Sequence, residues 1–348
     1  MNESQTLYRK YRPTTLAEVV GQDHIVSVIG AALKDGTTAH AYLFAGTRGI
    51  GKTSVARIIA TELGTSENDI HEIDAASNRG IDDIRELREA VHALPFESEK
   101  KVYIIDEVHM LTKEAFNALL KTLEEPPTHV MFILATTELH KVPDTIVSRC
   151  ETHQFRKPTQ SILREHVQKL GTKEGRTIDD GAADIIALLA DGSFRDGLGI
   201  LQKVLSSVSG TTVSSDDVAA VTGAPTESVV NDIVTAIAQK DVGAALRHVQ
   251  EAEAVSLLLD MVIERVRQIM LVRHAADLRE EILNEVSDVT ETLITELAGT
   301  EGAAVNSKVL AHLLSASAAM RFARHPHVVF ELALIELLGE AESGTLFE

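Results

Sequence analysis

Between a short apolar run, Ala41-Tyr42-Leu43-Phe44-Ala45, and a helical pattern from Lys52 to Leu63 stands Gly46-Thr47-Arg48-Gly49-Ile50-Gly51-Lys52-Thr53, a complete G-x-x-x-x-G-K-T. A strand before this motif and a helix after it are the context it requires. The glycines let backbone N–H groups turn inward around phosphate oxygens, and the helix N-terminus adds a favourable dipole. Lys52 can then reach the β- and γ-phosphates, and the Thr53 hydroxyl can ligate Mg²⁺. The bland alternative is a glycine-rich strand–helix turn with an incidental lysine, and it needs both flanks to agree by chance.

Around the loop, the first half of the chain alternates short β-rich runs with amphipathic helical patterns. A parallel sheet covered by helices has this signature. Strands are predicted at Ala41–Ala45, Glu72–Ala75, Val102–Asp106, Val130–Thr136 and Thr152–Phe155. Between them Ile81, Ile84, Leu87, Val91 and Leu94 fall at helical spacing, as do Phe116, Leu119, Leu120 and Leu123. Pro126-Pro127 stops the second of these helices. After Pro158 the β-runs disappear. Residues 160–208 read as a small helical unit, with Gly192 ending one helix and Ser193 capping the next in a Ser-x-x-Asp pattern. Beyond Thr211 the helical segments are 227–239, 252–276 and 305–339. The expected plan is an α/β P-loop domain over 1–158, a helical lid over 159–212 and an all-helical domain over 213–348.

A second constellation supports the first. Val102-Tyr103-Ile104-Ile105-Asp106-Glu107-Val108-His109 is a buried strand ending in adjacent carboxylates. Burying such a pair is costly without a compensating cation, and nucleotide-bound Mg²⁺ supplies one. Asp106 would hold the metal's water shell, and Glu107 would polarise the attacking water as general base.

Composition narrows the remaining choices. At 348 residues the chain is too long for one comfortable core. Its single cysteine, Cys150, excludes internal disulfides and a Cys-rich zinc site, so no zinc is expected. His109, His129, His140 and His153 lack metal-ligand spacing. With 33 Lys+Arg against 52 Asp+Glu the net charge is −19, which argues against broad nucleic-acid coating and leaves a local basic lining open. The absence of tryptophan and 4% aromatic content disfavour a stacking platform for single strands. No apolar run approaches the ~18 residues of a membrane span. Met1-Asn2-Glu3-Ser4 opens no signal sequence, and a cytoplasmic location is expected.

Further segments carry a family resemblance. Tyr8-Arg9-Lys10-Tyr11-Arg12-Pro13 with Val19-Val20-Gly21-Gln22 resembles the opening of the gamma/tau subunits of bacterial DNA polymerase III, which are AAA+ clamp-loader ATPases. So do the phosphate loop, Ile73-Asp74-Ala75-Ala76-Ser77, Asp106-Glu107-Val108-His109-Met110-Leu111, and the long run from Phe116 to Pro127. Leu134-Ala135-Thr136-Thr137, Ser148-Arg149-Cys150 and Gly192-Ser193-Phe194-Arg195-Asp196 complete the set. These motifs cover residues 8–196 densely, and the last third matches in pattern and length.

The resemblance implies roles that spacing alone does not. Thr137 matches sensor 1, Arg195 matches sensor 2 over the same chain's phosphates, and Arg149 matches the arginine finger that enters a neighbouring subunit's site. Each would read as an ordinary surface or strand-end residue in isolation. The implied nucleotide set is Gly46, Thr47, Arg48, Gly49, Ile50, Gly51, Lys52, Thr53 and Ser54, with Tyr8, Arg12, Val19 and Val20 around adenine and ribose. A hydrophobic staple fastening the N-terminal segment to the sheet explains those last four equally well. Arg85 and Lys121 match DNA-contact positions, Arg79 lies beside one, and Asn78 stands where some relatives carry a basic residue. A solvated helix face, with Arg85 paired to Asp82, Asp83 or Glu89, is the competing account. Two departures stand out: only residues 64–69 occupy the place of the family's four-cysteine zinc module, and the chain ends at Glu348. Both match a short gamma-like form.

The function implied is an ATP-hydrolysing motor that loads a sliding clamp onto primed DNA, with ATP and Mg²⁺ as cofactors. It would work in a hetero-oligomeric, pentameric ring, with the all-helical 213–348 region as its collar. The chain carries no polymerase chemistry, although the holoenzyme it serves is a DNA-directed DNA polymerase. One alternative is a non-hydrolysing stator, against which the intact Gly51-Lys52-Thr53 and Asp106-Glu107 argue. Another is a different AAA+ DNA motor, which a closed hexamer would favour.

Overall fold

The computed structural model describes residues 6–78, 80–284, 286, 288–299 and 305–339. The chain divides into two compact units: residues up to His166 with Ala190–Gln202, and Val167–Leu189 with the residues from Lys203 on. In chain order the elements that build the first unit are α1 (Leu7–Lys10), α2 (Asp23–Asp35), β1 (Ala41–Ala45), α3 (Lys52–Glu62), β2 (Ile70–Asp74), α4 (Ile81–Val91), β3 (Lys101–Asp106), α5 (Lys113–Glu124), β4 (Val130–Thr136), α6 (Asp144–Val147) and β5 (Glu151–Gln154). The next are α7 (Gln160–Lys173), β6 (Thr177–Ile178), α8 (Asp180–Leu189), α9 (Phe194–Ser207) and β7 (Thr212–Val213), with α7 and α9 contributing residues to both units.

The first unit holds a five-stranded parallel sheet in the order β2-β3-β4-β1-β5. Side chains alternate across it with the period of two that a strand imposes. Tyr42, Phe44, Val102, Ile104, Met131 and Ile133 face a core completed by α2 and α3, from Ile25, Ile29, Val55 and Ile59. Leu43, Tyr103, Ile105, Phe132 and Leu134 face the other core, completed by α4 and α5 through Ile84, Leu87, Phe116 and Leu119. Burial on both faces accounts for strands that read as continuous apolar runs. The register pairs Ala45 with Thr136 and Ile105 with Leu134, which sets the carboxyl ends of β1, β3 and β4 along one edge.

Several boundaries differ from the sequence expectation. Strand β2 begins at Ile70, not Glu72, because its half-buried edge position weakens the apolar pattern. Helix α4 stops at Val91, and Leu94 is 78% exposed ahead of Pro95, so it lies off the helical stripe. Strand β5 runs one residue earlier than predicted, although the Phe155 N–H still donates to the Ala45 carbonyl at 2.7 Å. Asp69, 1% exposed, ties the 94–98 loop to the start of β2 by accepting the N–H groups of Phe96, Glu97 and Ser98.

In the second unit, β6 and β7 form a two-stranded parallel ladder, Thr177 with Thr212 and Ile178 with Val213. The expectation that strands vanish after Pro158 is corrected there: two β-branched residues apiece are enough to pair, yet too short to read as a run. The remaining helices are α10 (Ser215–Thr222), α11 (Glu227–Gln239), α12 (Val242–Glu251), α13 (Val255–His274), α14 (Arg279–Asn284), α15 (Asp288–Gly299), α16 (Ser307–Met320) and α17 (Pro326–Leu338). α13 packs against α11, α15, α16 and α17, with Leu258, Leu259, Val262, Val266 and Ile269 buried. The single helical span read over 305–339 is two helices, because Pro326 starts a new one at its first turn. Among the described residues no helix is long and apolar enough to cross a membrane.

Candidate active site

The glycine-rich loop leaves β1 at the carboxyl edge of the sheet, where the Gly46 N–H donates to the Thr136 carbonyl at 3.1 Å. Gly51, at φ 106, turns the chain directly into α3 with a backbone that side-chain-bearing residues rarely adopt. Lys52 is 5% exposed, and its Nζ donates to the carbonyls of Gly46 (2.7 Å) and Thr47 (2.8 Å), inside the turn. Burial pushes this amine below its ordinary pKa, while the carboxylates of Glu107 and Asp106 push it back up. The Thr53 hydroxyl donates to Asp106 Oδ2 at 2.8 Å, which brings loop and β3 together. A buried amine in a loop of inward-turned backbone, beside a hydroxyl–carboxylate pair, fits the phosphates and the hard cation of a magnesium nucleotide.

Beyond Asp106 the chain turns left-handed at Glu107 (φ 48, ψ 44). Glu107 Oε2 accepts from the Thr137 hydroxyl (2.9 Å) and the Thr137 N–H (3.3 Å). The carboxylate and the hydroxyl of the implied sensor are therefore in direct contact. His109, buried to 6% exposure of its side chain, lies beside them, with Nδ1 3.0 Å from Thr136 Oγ1.

The segment Ala190–Gln202 sits on the loop. The Phe194 N–H donates to the Gly49 carbonyl at 3.0 Å, and Arg48 pairs with Asp196 at 3.5 Å. Ser193 does cap α9, its Oγ accepting the Asp196 N–H at 3.2 Å. Gly49, at φ +73, has no room for a side chain: an added Cβ would stand 2.0 Å from Ser193 Oγ and 3.3 Å from Arg195 Cβ. Arg195 lies within electrostatic reach of Lys52 and Arg12 and lowers the pKa of each, after the larger effect of burial. The Arg12 Nε donates to Ser54 Oγ at 3.1 Å, which places the N-terminal segment against the first turn of α3. Tyr8 lies in α1 with the Arg9 guanidinium 5.9 Å from its ring centre. Val19 packs against the core that holds Ile25 and Phe44, whereas Val20 is 38% exposed.

Arg149 lies elsewhere. Glu151 opens β5 opposite Tyr42, so Arg149 enters the sheet at the start of β1, whereas the loop leaves its end. At ~3.3 Å per residue that is ~15–20 Å along the strands. Its guanidinium donates to the Thr145 carbonyl at 2.7 Å and to Glu124 at the end of α5. Arg85 is exposed on α4 and paired with Asp82 at 3.0 Å, and Lys121 is exposed on α5. These two helices pack against each other. Arg79 lies outside the described residues. Burial pushes the Cys150 thiol up to about 12, which keeps it protonated and unreactive.

Sequence reasoning gave no role to Gln22, although it fixes the N-terminal segment. It is fully buried, and its amide makes a reciprocal pair with the Arg156 backbone, donating at 2.7 Å and accepting at 3.0 Å. Its only signal is a polar residue after Gly21. Glu124 lies inside the run from Phe116 to Pro127 with nothing in the sequence to mark it, and it is the partner of Arg149.

Comparison with known proteins then decides the family. The chain is 37% identical over 358 residues to the DNA polymerase III subunit tau of Bacillus subtilis, covering 96% of this chain. It is 33% identical over 372 residues to the gamma/tau subunit of Mycobacterium tuberculosis, covering 98%. The chain belongs to the gamma/tau family of DNA polymerase III subunits. It spans 63% and 64% of the lengths of those two gamma/tau relatives. Residues 65–159 also match the family described as DNA polymerase III, delta subunit. Among solved structures, the RuvB Holliday junction branch migration motor of Thermotoga maritima superposes with a TM-score of 0.54 at 22% identity, over 73% of this chain and 90% of that one. At that identity the likeness speaks for the fold alone: a parallel α/β sheet carrying the phosphate loop, followed by helical regions.

Proposed function

We propose that this chain is the ATP-hydrolysing motor subunit of a clamp loader, working in the cytoplasm with sister subunits in a pentameric ring that loads a sliding clamp onto primer–template DNA. The observation that carries the proposal is the junction at the sheet edge: Thr53 bonded to Asp106 at 2.8 Å, and Glu107 bonded to Thr137 at 2.9 Å. A chain that only scaffolded the ring need keep none of these groups, which supports hydrolysis over the stator.

Lys52 and the N–H groups of residues 46–54 would hold the phosphates, and Thr53 and Asp106 would hold Mg²⁺. The bound magnesium nucleotide supplies the scissile phosphoryl group and a cation that neutralises charge developing on it. Glu107 takes the proton of the attacking water, Thr137 fixes the Glu107 carboxylate, and Arg195 sets a guanidinium over the same chain's phosphates. Tyr8, Arg12, Val19 and Val20 would line adenine and ribose, for which the Arg12–Ser54 bond is the support. Arg149, at the far end of the strands from its own loop, serves a neighbour's site. Arg85 and Lys121, with Arg79 nearby, would touch DNA phosphates weakly and without sequence preference. The division into P-loop domain 1–158, lid 159–212 and collar 213–348 belongs to the same proposal.

Nucleotide binding tests the first step. Wild-type chain should bind a fluorescent ATP analogue in the presence of Mg²⁺, and Lys52→Ala should abolish tight binding. Near-normal affinity in that variant would refute the phosphate-loop assignment.

A further inference from the structure

Glu107 is unusually constrained for a half-buried carboxylate at the sheet's carboxyl edge. Its backbone holds a left-handed conformation that non-glycine residues seldom keep without support from their surroundings. Its N–H donates to Asp106 Oδ1 at 2.9 Å. Oε2 collects the Thr137 hydroxyl and N–H, and lies 3.4 Å from His109 Nδ1. None of these contacts uses Oε1.

His109 is fixed more firmly still. Nδ1 meets Thr136 Oγ1 at 3.0 Å, and Nε2 lies 3.2 Å from Glu138 Oε2. The Nδ1–H tautomer donates to Thr136 Oγ1 with Glu107 Oε2 beside it, and the Nε2–H tautomer donates to Glu138 Oε2. Thr136 is fully buried at the end of β4, and its hydroxyl also accepts the Glu138 N–H at 3.0 Å. Glu138 is in turn paired with Lys141 at 2.8 Å. The imidazole is therefore wedged between two carboxylates, with the wholly buried strand β4 behind it.

We propose that His109 is a positioning residue for hydrolysis: with Thr137 it clamps Oε2 of Glu107, leaving Oε1 to accept the proton of the attacking water. The inference rests on the ATPase reading above. A base held at one oxygen keeps the other in place, and misplacing a reacting group by an ångström costs up to ~100-fold in rate.

The test is steady-state ATP hydrolysis by the chain assembled with its sister subunits, with clamp and primed DNA. His109→Ala should lower kcat by ~10- to ~100-fold while KM for ATP moves less than ~2-fold. His109→Asn, whose amide can replace the Nδ1 contact, should recover to within ~3-fold of wild type. His109→Gln, whose amide reaches the Nε2 side, should stay impaired. In a Glu107→Gln background His109→Ala should have no further effect, because the group it positions is gone. Wild-type kcat in His109→Ala, or equal rates for the Asn and Gln variants, would overturn the inference and leave the ATPase reading standing. A loss that adds in full to Glu107→Gln would make His109 merely structural. No turnover by wild type would overturn the ATPase reading and this inference together. If His109→Ala fails to fold, the Asn and Gln variants carry the same comparison.

Discussion

Replacing Gly49 with alanine should loosen the seat of α9 on the phosphate loop by an amount that follows from the local geometry. The residue has φ +73, where a Cβ costs ~1–2 kcal/mol. The added methyl would lie 2.0 Å from Ser193 Oγ, so that hydroxyl must rotate away and release the Asp196 N–H it now caps. Losing such a cap costs ~1 kcal/mol. Together they give a destabilisation of ~2–3 kcal/mol, and at ~2–4 °C per kcal/mol for a domain of this size the melting temperature should fall by ~4–12 °C. Thermal denaturation followed by circular dichroism reads this directly. Ser193→Gly by itself should cost only a few tenths of a kcal/mol, since glycine is tolerated at the cap. In the Gly49→Ala background it should recover ~1 kcal/mol by removing the clashing oxygen while the φ penalty stays. A melting temperature within ~1 °C of wild type for Gly49→Ala, or fully additive losses in the double variant, would refute the reasoning.

Two other substitutions probe the molecule away from the loop. Arg149→Ala should leave nucleotide binding by the same chain nearly intact while removing most DNA-stimulated hydrolysis by the assembled ring, where a trans arginine is worth ~10³–10⁵ in rate. Loss of binding as severe as in Lys52→Ala would place the arginine in cis. Asp69→Asn should lower the melting temperature at neutral pH by weakening the anchor of the 94–98 loop. Burial raises the Asp69 pKa, but the N–H groups of Phe96, Glu97 and Ser98 outweigh it and hold the carboxyl well below the usual range. That stabilisation is therefore complete above the unfolded value of ~3.9 and is lost as pH falls towards the lower folded value. The gap in melting temperature between wild type and variant should be constant above about pH 5 and narrow in stronger acid. A gap that widens on acidification would contradict the assignment.

The parts of the fold legible in sequence are those where burial is two-sided and the ends are punctuated. β1 and β4 match their predicted spans to the residue, because each is a wholly buried apolar run between polar or glycine neighbours. Edge elements were harder to read: β2 and β5 have half-exposed side chains, and their limits follow from partners in the neighbouring strand. β6 and β7 are set by tertiary pairing alone. At the site, Lys52, Thr53 and Asp106 carry their own signal, because the chemistry of a phosphate loop fixes residue type and spacing together. The Glu107–Thr137 and Arg149–Glu124 contacts join residues 30 and 25 positions apart, and no local pattern marks them. His109 is the clearest case: its place in the sequence was plain, and its wedging between Glu107 and Glu138 emerges only when β3 and β4 lie side by side.

ATP turnover by this chain assembled with its sister subunits, in the presence of sliding clamp and primed DNA, tests the central claim most directly. Wild type should hydrolyse ATP faster when both are added, and Glu107→Gln should bind ATP with ordinary affinity while turning it over only at a small residual rate. Absence of turnover in the wild type under those conditions, or a parental rate in Glu107→Gln, would contradict it.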